Sequence, residues 1–265
     1  MSLEMMKETA FDTGKVRINY AEGPSSGPPL VLLHGGSAWW QDFTPIIPGL
    51  ASHWHLFAPD LRGHGKSGRI AWSYSIRDYA EDIHVFLQEV SGPAILFGHS
   101  LGGMIALMVA KQCPELVRAV IVGDSPLDGS TFKIVMDHGR ERVRQWQALA
   151  GGSHPVAEIA AALKDDYVAT RLYHNDPDMI GMLLDDFDRA AKGYEMDTLL
   201  PSIRCPVLLL QGDPDCGGVM TDAEIARALP LLARSSHVKF SGLSHIFFVE
   251  DKEIVLKVVE EFLSQ

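Results

Sequence analysis

The run Phe97-Gly98-His99-Ser100-Leu101-Gly102-Gly103 constrains this chain more than any other feature of the sequence. An apolar segment precedes it and a segment rich in Ala, Met, Leu and Ile follows, so the pattern G-x-S-x-G joins a strand directly to a helix. At such a junction the serine lies in a sharp, strained turn, and Gly98 and Gly102 leave room where a Cβ atom would clash. The turn lifts the serine Oγ above the sheet edge, and the N-terminal end of the helix dipole faces developing negative charge. In this context the motif predicts that Ser100 is a nucleophile, whereas in an ordinary loop it would indicate only a turn.

Five short apolar runs predict the sheet to which this junction belongs. Apart from His55 and Arg118, each run is uninterrupted rather than alternating, and a Gly, Pro, Asp or His follows it within two residues, which is typical of strands buried on both faces of a parallel sheet. The runs are Leu30–Leu33, His55–Ala58, Ala94–Phe97, Val117–Val122 and Val207–Leu210. A sixth candidate is His237–Phe240, and Phe11–Tyr20 reads as one or two antiparallel edge strands. Helical patterns alternate with these runs, so we expect an α/β fold with helices on both faces of the sheet.

One interval, from Ser125 to about Arg204, contains several helical stripes and no convincing strand. It is much longer than the connection between a strand and the next strand requires. We therefore expect a helical cap over residues 126–200, inserted into a core formed by residues 1–125 and 201–265. The cap would lie beside the strand ends, where folds of this class bind ligands. Some of its large side chains should then face the substrate, and the candidates are Trp146, Tyr167, Met179, Met182 and Phe187.

Four further motifs, together with the serine turn, make the chain similar to the α/β-hydrolase fold family. Leu32–Gly36 resembles the family's His-Gly oxyanion loop, and Pro59–Ser67 resembles its Asp-x-Arg-Gly-x-Gly-x-Ser loop. Cys205–Asp215 resembles the strand and turn that carry the acid, and Gly242–His245 resembles the histidine loop. The five motifs occur in family order and cover nearly the whole chain outside the cap. The resemblance implies a mostly parallel sheet, a helical cap and Ser-His-Asp chemistry, and it is far less specific for the substrate.

A serine hydroxyl is a weak nucleophile at its free pKa, so this chemistry requires a base that takes its proton. We assign that role to His245, which follows a short strand near the C-terminus in a glycine-containing loop. In the family's arrangement the oxyanion is bound by two backbone N–H groups, one after the nucleophile and one in the His-Gly loop. By position these belong to Leu101 and Gly36, although Gly36 could instead be only a flexible joint.

The acid that orients the histidine is the least constrained member of the triad. We favour Asp215, because it follows the strand Val207–Leu210 and gives the chain order Ser, Asp, His. In the family a proline often follows the acid, but here Cys216–Gly218 follows. Asp213 lies two residues away, and Asp124 directly follows the preceding strand, where some members of the fold place their acid. Asp124 and Asp213 therefore remain alternatives.

Other polar and aromatic residues near these motifs have competing interpretations. Trp39 and Trp146 are candidates for substrate contact, with core packing as the alternative. For His99, next to the nucleophile, we expect a side chain that points away from the substrate. The remaining polar residues of the first two loops are interpreted as hydrogen-bonded loop formers: His34, Asp60, Arg62 and His64.

Charge and cysteine content restrict the partners. The formal net charge is −11, which disfavours binding to nucleic acid and docking on anionic membranes. No segment approaches the roughly 18 apolar residues that span a bilayer. The three cysteines, Cys113, Cys205 and Cys216, show no metal or redox spacing, and neither nucleotide-binding glycine motifs nor metal-ligand clusters occur. We expect a cytoplasmic protein that acts on a small-molecule acyl substrate without a cofactor or a metal ion. The sequence does not indicate the oligomeric state.

The residues of the serine turn also separate this chain from some relatives on the same fold. Family haloalkane dehalogenases and epoxide hydrolases carry Asp at the position of Ser100, and proline iminopeptidases usually carry Trp at that of Leu101. The small cap and His-Gly-Gly resemble esterases and the enol-lactone or meta-cleavage hydrolases. We therefore expect hydrolysis of a small or medium carboxylic ester or lactone through an acyl-enzyme. The alternatives are a carbon–carbon bond hydrolase, or a non-hydrolytic lyase, oxygenase or ligand receptor on the same fold.

Overall fold

The computed structural model describes residues 5–264, and the chain within them contains one eight-stranded sheet. The strands are β1 (Lys7–Asp12), β2 (Arg17–Glu22), β3 (Pro29–Leu33), β4 (His55–Pro59), β5 (Ala94–His99), β6 (Val117–Gly123), β7 (Val207–Gly212) and β8 (Ser235–Phe240). Their order in the sheet is β1-β2-β4-β3-β5-β6-β7-β8. The pairs β1/β2 and β2/β4 are antiparallel and all others are parallel. Residues 1–4 and 265, which the predicted core includes, lie outside the described residues.

Helices fill the connections between these strands. They are α1 (Ile47–Leu50), α2 (Ile76–Phe86), α3 (Leu101–Gln112), α4 (Gly129–His138), α5 (Arg140–Leu149), α6 (Val156–Leu163), α7 (Asp166–His174), α8 (Pro177–Asp185), α9 (Phe187–Ala190), α10 (Met196–Leu199), α11 (Asp222–Ala228), α12 (Phe247–Glu250) and α13 (Lys252–Leu263). Local signals in the sequence set several of their ends. The Ser75 side chain accepts from the Asp78 N–H, and the Asp78 carboxylate accepts from the Ser75 N–H, which forms a capping box at the start of α2. Pro114 closely follows the end of α3.

The continuous apolar runs become strands because both faces of the sheet are covered. Side chains alternate between the faces, so Val31 and Leu33 join the core beneath α2 and α3. Leu30 and Leu32 join a second core, to which α1, α12 and α13 contribute. Together with the parallel pairing, this arrangement confirms the predicted α/β class.

Between β6 and β7 the described chain contains α4 to α10 and no strand. We call residues 129–199 the helical insert; the predicted cap spans residues 126–200. The two ends of the insert lie side by side. Gly129 N donates to Tyr194 O at 3.1 Å, and the Tyr194 hydroxyl donates to Pro126 O at 2.9 Å. Met196 N donates to Asp128 Oδ2 at 3.1 Å. These three hydrogen bonds join the start of the insert to its end, close to the point where the chain leaves the sheet.

The insert is also bonded to the core at a second place. The Tyr74 hydroxyl donates to Asp176 Oδ2 at 2.5 Å, and both side chains are buried. The backbone N–H of Asp176 donates to Gly63 O at 2.7 Å. Parallel strands also bring the loops after β3, β5, β6, β7 and β8 to one edge of the sheet. The predicted catalytic residues follow these strands, so they meet at that edge.

Candidate active site

Ser100 lies at the sharp turn between β5 and α3, with φ 53° and ψ −121°. Its backbone N–H donates to Gly123 O at 2.9 Å and ties the turn to β6. A Cβ atom on Gly98 would lie 2.1 Å from Gly102 O, and one on Gly102 would lie 2.0 Å from Leu33 O. Both positions therefore require glycine, which is the reason for the G-x-S-x-G spacing.

Asp124 is the carboxylate that holds the histidine. His245 Nδ1 lies 2.7 Å from Asp124 Oδ2, and the Asp124 side chain is 0% exposed. Backbone N–H groups orient the same carboxylate, with Val219 N 2.8 Å from Oδ2, and Gly212 N and Met220 N 3.0 and 3.2 Å from Oδ1. Four donors thus fix the direction of this carboxylate. With Nδ1–H directed at Asp124, the Nε2 of His245 is left as the proton acceptor.

The preference for Asp215 as the partner of the histidine was wrong, and its alternative Asp124 makes the contact. Asp215 is exposed on a single helical turn, Pro214–Cys216, which follows β7. Asp213 braces that turn, because its carboxylate accepts from the N–H groups of Asp215 at 3.1 Å and Gly242 at 2.8 Å. Asp124 has φ 42°, and this left-handed conformation places its carboxylate against His245.

The two predicted oxyanion donors lie in adjoining segments next to Ser100. A Cβ atom on Gly35 would lie 3.2 Å from Ser100 Cβ, so the His-Gly loop packs directly on the serine turn. Leu101 is the first residue of α3, and its N–H therefore has no partner within the helix. Gly36 is exposed at the cavity described below. The binding of an oxyanion by Gly36 and Leu101 stays a prediction.

Two buried histidines fix the shape of the His-Gly loop. His34 Nδ1 donates to Gly35 O at 2.8 Å, and its Nε2 accepts from Leu61 N at 2.9 Å. His64 is held in the same way, with Ser37 N 3.1 Å from its Nε2. Burial lowers the pKa of His64 to about 4 and holds the pKa of His34 well below its usual value. Both rings are therefore neutral loop formers.

Asp60 and Arg62 also brace a loop. The Asp60 carboxylate accepts from Trp40 N at 3.0 Å and from Asn19 Nδ2 at 2.9 Å. Arg62 is buried and makes two contacts with the carboxylate of Asp82, at 2.5 and 2.6 Å. Other groups of the protein thus occupy the hydrogen-bonding positions of both side chains. These bonds hold the loop after β4 against the sheet and α2.

A cavity of about 860 Å³ opens above Ser100 and His245. The loop after β3 contributes Trp39 and Asp42 to its wall. From the helical insert come Trp146, Tyr167, Val168 and Arg171. Ile246, which directly follows the histidine loop, lines the cavity as well, and so do Phe248 and Val249 of α12. The wall is mostly apolar, as in sites for small organic ligands.

Both tryptophans singled out from the sequence, Trp39 and Trp146, thus border this cavity, and so does Tyr167. Met179 and Met182 are buried and do not line it. Phe187 packs against Phe132 with ring centroids 5.1 Å apart. Of the five large side chains considered for the cap, Trp146 and Tyr167 therefore reach the site.

Comparison with known proteins shows the family to which this chain belongs. Residues 28–251 match the family model described as the alpha/beta hydrolase fold. The chain belongs to the α/β-hydrolase fold family. This family member is 28% identical to 2-(acetamidomethylene)succinate hydrolase of Mesorhizobium japonicum, over 95% of this chain and 93% of that protein. It is 31% identical to the magnesium-chelatase 30 kDa subunit of Rhodobacter capsulatus, over 79% of this chain and 78% of that protein.

A solved structure supports the same fold. The crystal structure of E-2-(acetamidomethylene)succinate hydrolase matches this α/β-hydrolase-fold chain with a TM-score of 0.79 and 22% identity, covering 98% of this chain and 100% of the other. At this identity the likeness concerns the fold alone. No helix within residues 5–264 combines the length and apolarity that a membrane-spanning helix needs. Within the same residues, no group of three or more His, Cys, Asp or Glu side chains is arranged to hold a metal ion.

His99 contacts the histidine loop of this α/β-hydrolase-fold chain. Its Nε2 lies 2.8 Å from His245 O, and the two imidazole rings are 4.5 Å apart between centroids. Its ring also borders the cavity, which differs from the expectation that the side chain points away from the substrate. Burial lowers the pKa of His99, so the neutral ring donates Nε2–H to the carbonyl. His99 thereby links the serine strand to the loop that carries the candidate base.

A polar cluster that the sequence did not reveal borders the same cavity. Arg171 Nη1 lies 2.7 Å from Asp42 Oδ2, and the Tyr167 hydroxyl donates to Asp42 Oδ1 at 2.7 Å. Trp39 Nε1 donates to the Tyr167 hydroxyl at 3.3 Å. Burial raises the pKa of Asp42, although Arg171 opposes this effect, and it raises the pKa of Tyr167 to about 12. Asp42 and Arg171 are 129 positions apart and belong to no motif, so no signal in the sequence could have paired them.

Proposed function

We propose that this protein is a serine hydrolase that cleaves a small or medium carboxylic ester or lactone through an acyl-enzyme intermediate. The observation that carries the proposal is a strained Ser100 at the floor of a cavity beside His245, whose Nδ1 is bonded to buried Asp124. A nucleophile, a base and a group that orients the base are the parts that acyl transfer by a serine requires.

In the proposed reaction Ser100 Oγ attacks the acyl carbon while its proton passes to His245 Nε2. The backbone N–H groups of Gly36 and Leu101 stabilise the negative charge that develops on the acyl oxygen. Asp124 stabilises the imidazolium, which then gives its proton to the leaving alkoxide as the bond to the acyl carbon breaks. A water molecule, deprotonated by His245, attacks the acyl-enzyme and releases the carboxylic acid and free Ser100.

The size and lining of the cavity support a small or medium acyl substrate. Its volume of about 860 Å³ lies within the range of pockets that bind small organic molecules. The relative from Mesorhizobium japonicum, which aligns over nearly the full length of both chains, is itself named as a hydrolase. The volume supports the size of the proposed substrate and the relative supports hydrolysis, and neither identifies the acyl group or the leaving group.

The test combines turnover with covalent labelling. Purified protein is assayed on a panel of p-nitrophenyl esters and lactones, and a fluorophosphonate probe is used to label the serine. We expect turnover of at least one ester or lactone, and labelling that is lost in Ser100→Ala. The control is Ser130→Ala, which removes an exposed serine of the insert and should leave both readouts intact.

Two outcomes would contradict the proposal. Labelling of Ser100 without turnover on the whole panel would favour the carbon–carbon hydrolase or the non-hydrolytic alternatives. The second group has some support in the likeness to a magnesium-chelatase 30 kDa subunit, whose name describes no hydrolase. Turnover that persists in Ser100→Ala would exclude Ser100 as the nucleophile.

A further inference from the structure

The positive charge that borders the cavity is already paired before any substrate binds. Arg171 is the one Lys or Arg among the described residues that line it. Its guanidinium is already paired with Asp42 at 2.7 Å, and the two side chains are only 16% and 18% exposed. Because the pair is largely withdrawn from water, its members attract each other more strongly than an exposed pair would.

A second carboxylate, that of Asp165, borders the same cavity. It accepts from Val168 N at 2.9 Å at the start of α7 and has no cation of its own in that contact. Two acidic residues and one arginine therefore border the cavity, and Asp165 is also exposed to solvent. Asp42 engages Nη1 of Arg171 and leaves the buried Nε without a partner among the described residues. A substrate carboxylate that approached the free side of the guanidinium would still lie close to the charge of Asp42, and one that took Nη1 would have to displace Asp42, so either arrangement is unfavourable.

Another part of the cavity wall is apolar and reaches the surface. Ile246, next to His245, and Val249, in α12, line the cavity and are 45% and 52% exposed. Large apolar side chains that remain this exposed around a cavity indicate a place where an apolar group binds. Their position beside His245 puts this surface within reach of a chain attached to the reacting acyl group.

We propose that Asp42 is a specificity-determining residue, which occupies Arg171 and thereby restricts the site to uncharged acyl groups with an apolar chain. This inference rests on the proposed function and names its substrate class. It also separates this chain from its relative in Mesorhizobium japonicum, since a succinate, the compound in that relative's name, carries two carboxylates.

The experiment compares two substrates that differ by one charge. They are p-nitrophenyl hexanoate and mono-p-nitrophenyl adipate, which share a six-carbon acyl chain and a leaving group. For the wild type we expect kcat/KM to favour the hexanoate at least tenfold. Asp42→Asn keeps the shape of the side chain but frees the charge of Arg171, and the preference should fall at least tenfold. Arg171→Gln leaves Asp42 uncompensated and should increase the preference.

A control and a second readout separate the possible failures. Asp166→Asn removes a negative charge from an exposed position of the same helix and should leave the preference unchanged. Fluorophosphonates with a hexyl or a carboxypentyl chain measure the same preference from the rate of Ser100 labelling, even if neither ester is turned over.

Three outcomes are informative. If the wild type uses the carboxylated chain as well as or better than the uncharged chain, the inference is wrong, whatever the variants show. A preference that Asp42→Asn leaves unchanged would overturn it as well. A clear preference in labelling without hydrolysis of any substrate would contradict the proposed function and leave the role of Asp42 intact.

Discussion

Two acidic turns lie beside each other at the edge of the sheet, and they differ in their access to water. Asp124 follows β6 and Asp215 follows β7, on neighbouring strands in which Gly123 pairs with Leu210. Asp124 is fully buried and receives three backbone N–H groups in addition to His245. Asp215 is exposed, and its own N–H is held by Asp213.

The difference shows what a carboxylate needs in order to orient a histidine. Asp124 is held in one direction by the backbone before His245 adds its bond, so little reorganisation accompanies proton transfer. Asp213 lies only two residues from Asp215, but its carboxylate is engaged by the backbone of its own turn and of the histidine loop. A position after a neighbouring strand is therefore insufficient, and burial with fixed donors decides the role.

Substitution of Ser100 is expected to have the largest effect, and it gives the lowest kcat with which variants of Asp124 and Asp215 can be compared. Ser100→Ala removes the proposed nucleophile and should lower kcat by about 10⁶-fold, as for other triad serines. Alanine meets the same strain at φ 53° as serine does, so the free energy of unfolding should change little. Steady-state kinetics and chemical denaturation measure the two quantities. Near-native kcat in the alanine variant would mean that Ser100 is not the nucleophile.

The comparison itself is tested by a matched pair of variants. Asp124→Asn retains shape but removes the charge and favours the wrong histidine tautomer, so kcat should fall by about 10⁴-fold. Asp215→Asn changes an exposed side chain and should alter kcat by less than about twofold. Both are assayed on the same ester. A large loss in Asp215→Asn with little loss in Asp124→Asn would reverse the assignment.

Two glycines of the segment that carries Asp215 allow a backbone position that touches Asp124 to be compared with one that does not. A Cβ atom on Gly212 would lie 2.8 Å from Ser244 O and 3.2 Å from the Asp124 carboxylate. Gly212→Ala should therefore lower the free energy of unfolding by about 1–3 kcal/mol and also lower kcat, because Asp124 must shift. Gly217, at φ 94°, has open space around it, so Gly217→Ala should cost about 1–2 kcal/mol of backbone strain without affecting kcat. Equal kcat values for the two variants would contradict a role for fixed geometry around Asp124.

The contrast between buried and exposed titratable groups also predicts a pH dependence of stability. Burial lowers the pKa of His64 from 6.5 to about 4, so the unfolded chain binds a proton between these pH values and the folded chain does not. The free energy of unfolding should therefore fall as the pH falls from 6.5 to 4, with a contribution of up to about 1.4 kcal/mol per pH unit from this residue. His64→Asn should flatten that slope in denaturation curves, and His138→Asn, at an exposed helix position, is the control. An unchanged slope in His64→Asn would exclude His64 as its source.

Much of the scaffold could be predicted because its causes are local. The apolar runs produce buried strands, and the glycines around Ser100 are required by contacts that the motif itself implies. The chain order Ser, Asp, His, in contrast, fits Asp124 and Asp215 equally well. The choice between them depends on the φ of 42° at Asp124 and on N–H groups about 90 positions away, which a single sequence does not display. The one available signal was an acid that directly follows a strand whose last residues, Ala119–Gly123, carry no polar side chain.

The chemistry of the cavity wall was less predictable for the same reason. Trp39 could be proposed because it closely follows the His-Gly motif, and Trp146 because it lies on an apolar stripe of the predicted cap. The contact between Asp42 and Arg171 depends on how the helical insert packs over the sheet, and neither residue stands out in its own segment. The bond between His99 and the carbonyl of His245 likewise depends on two loops that meet only in the folded chain.

The joined ends of the helical insert have a consequence for how the sequence of such a protein changes in evolution. Because Gly129 is bonded to Tyr194 and Asp128 to Met196, the sheet meets the insert as it would meet a short turn, whatever lies between. Changes in the intervening segment that keep these bonds, and those of Asp176 to Tyr74 and Gly63, should leave the strand register and the serine turn untouched while they remodel one wall of the cavity. We therefore expect the insert to be the segment in which relatives of this chain differ most in substrate range.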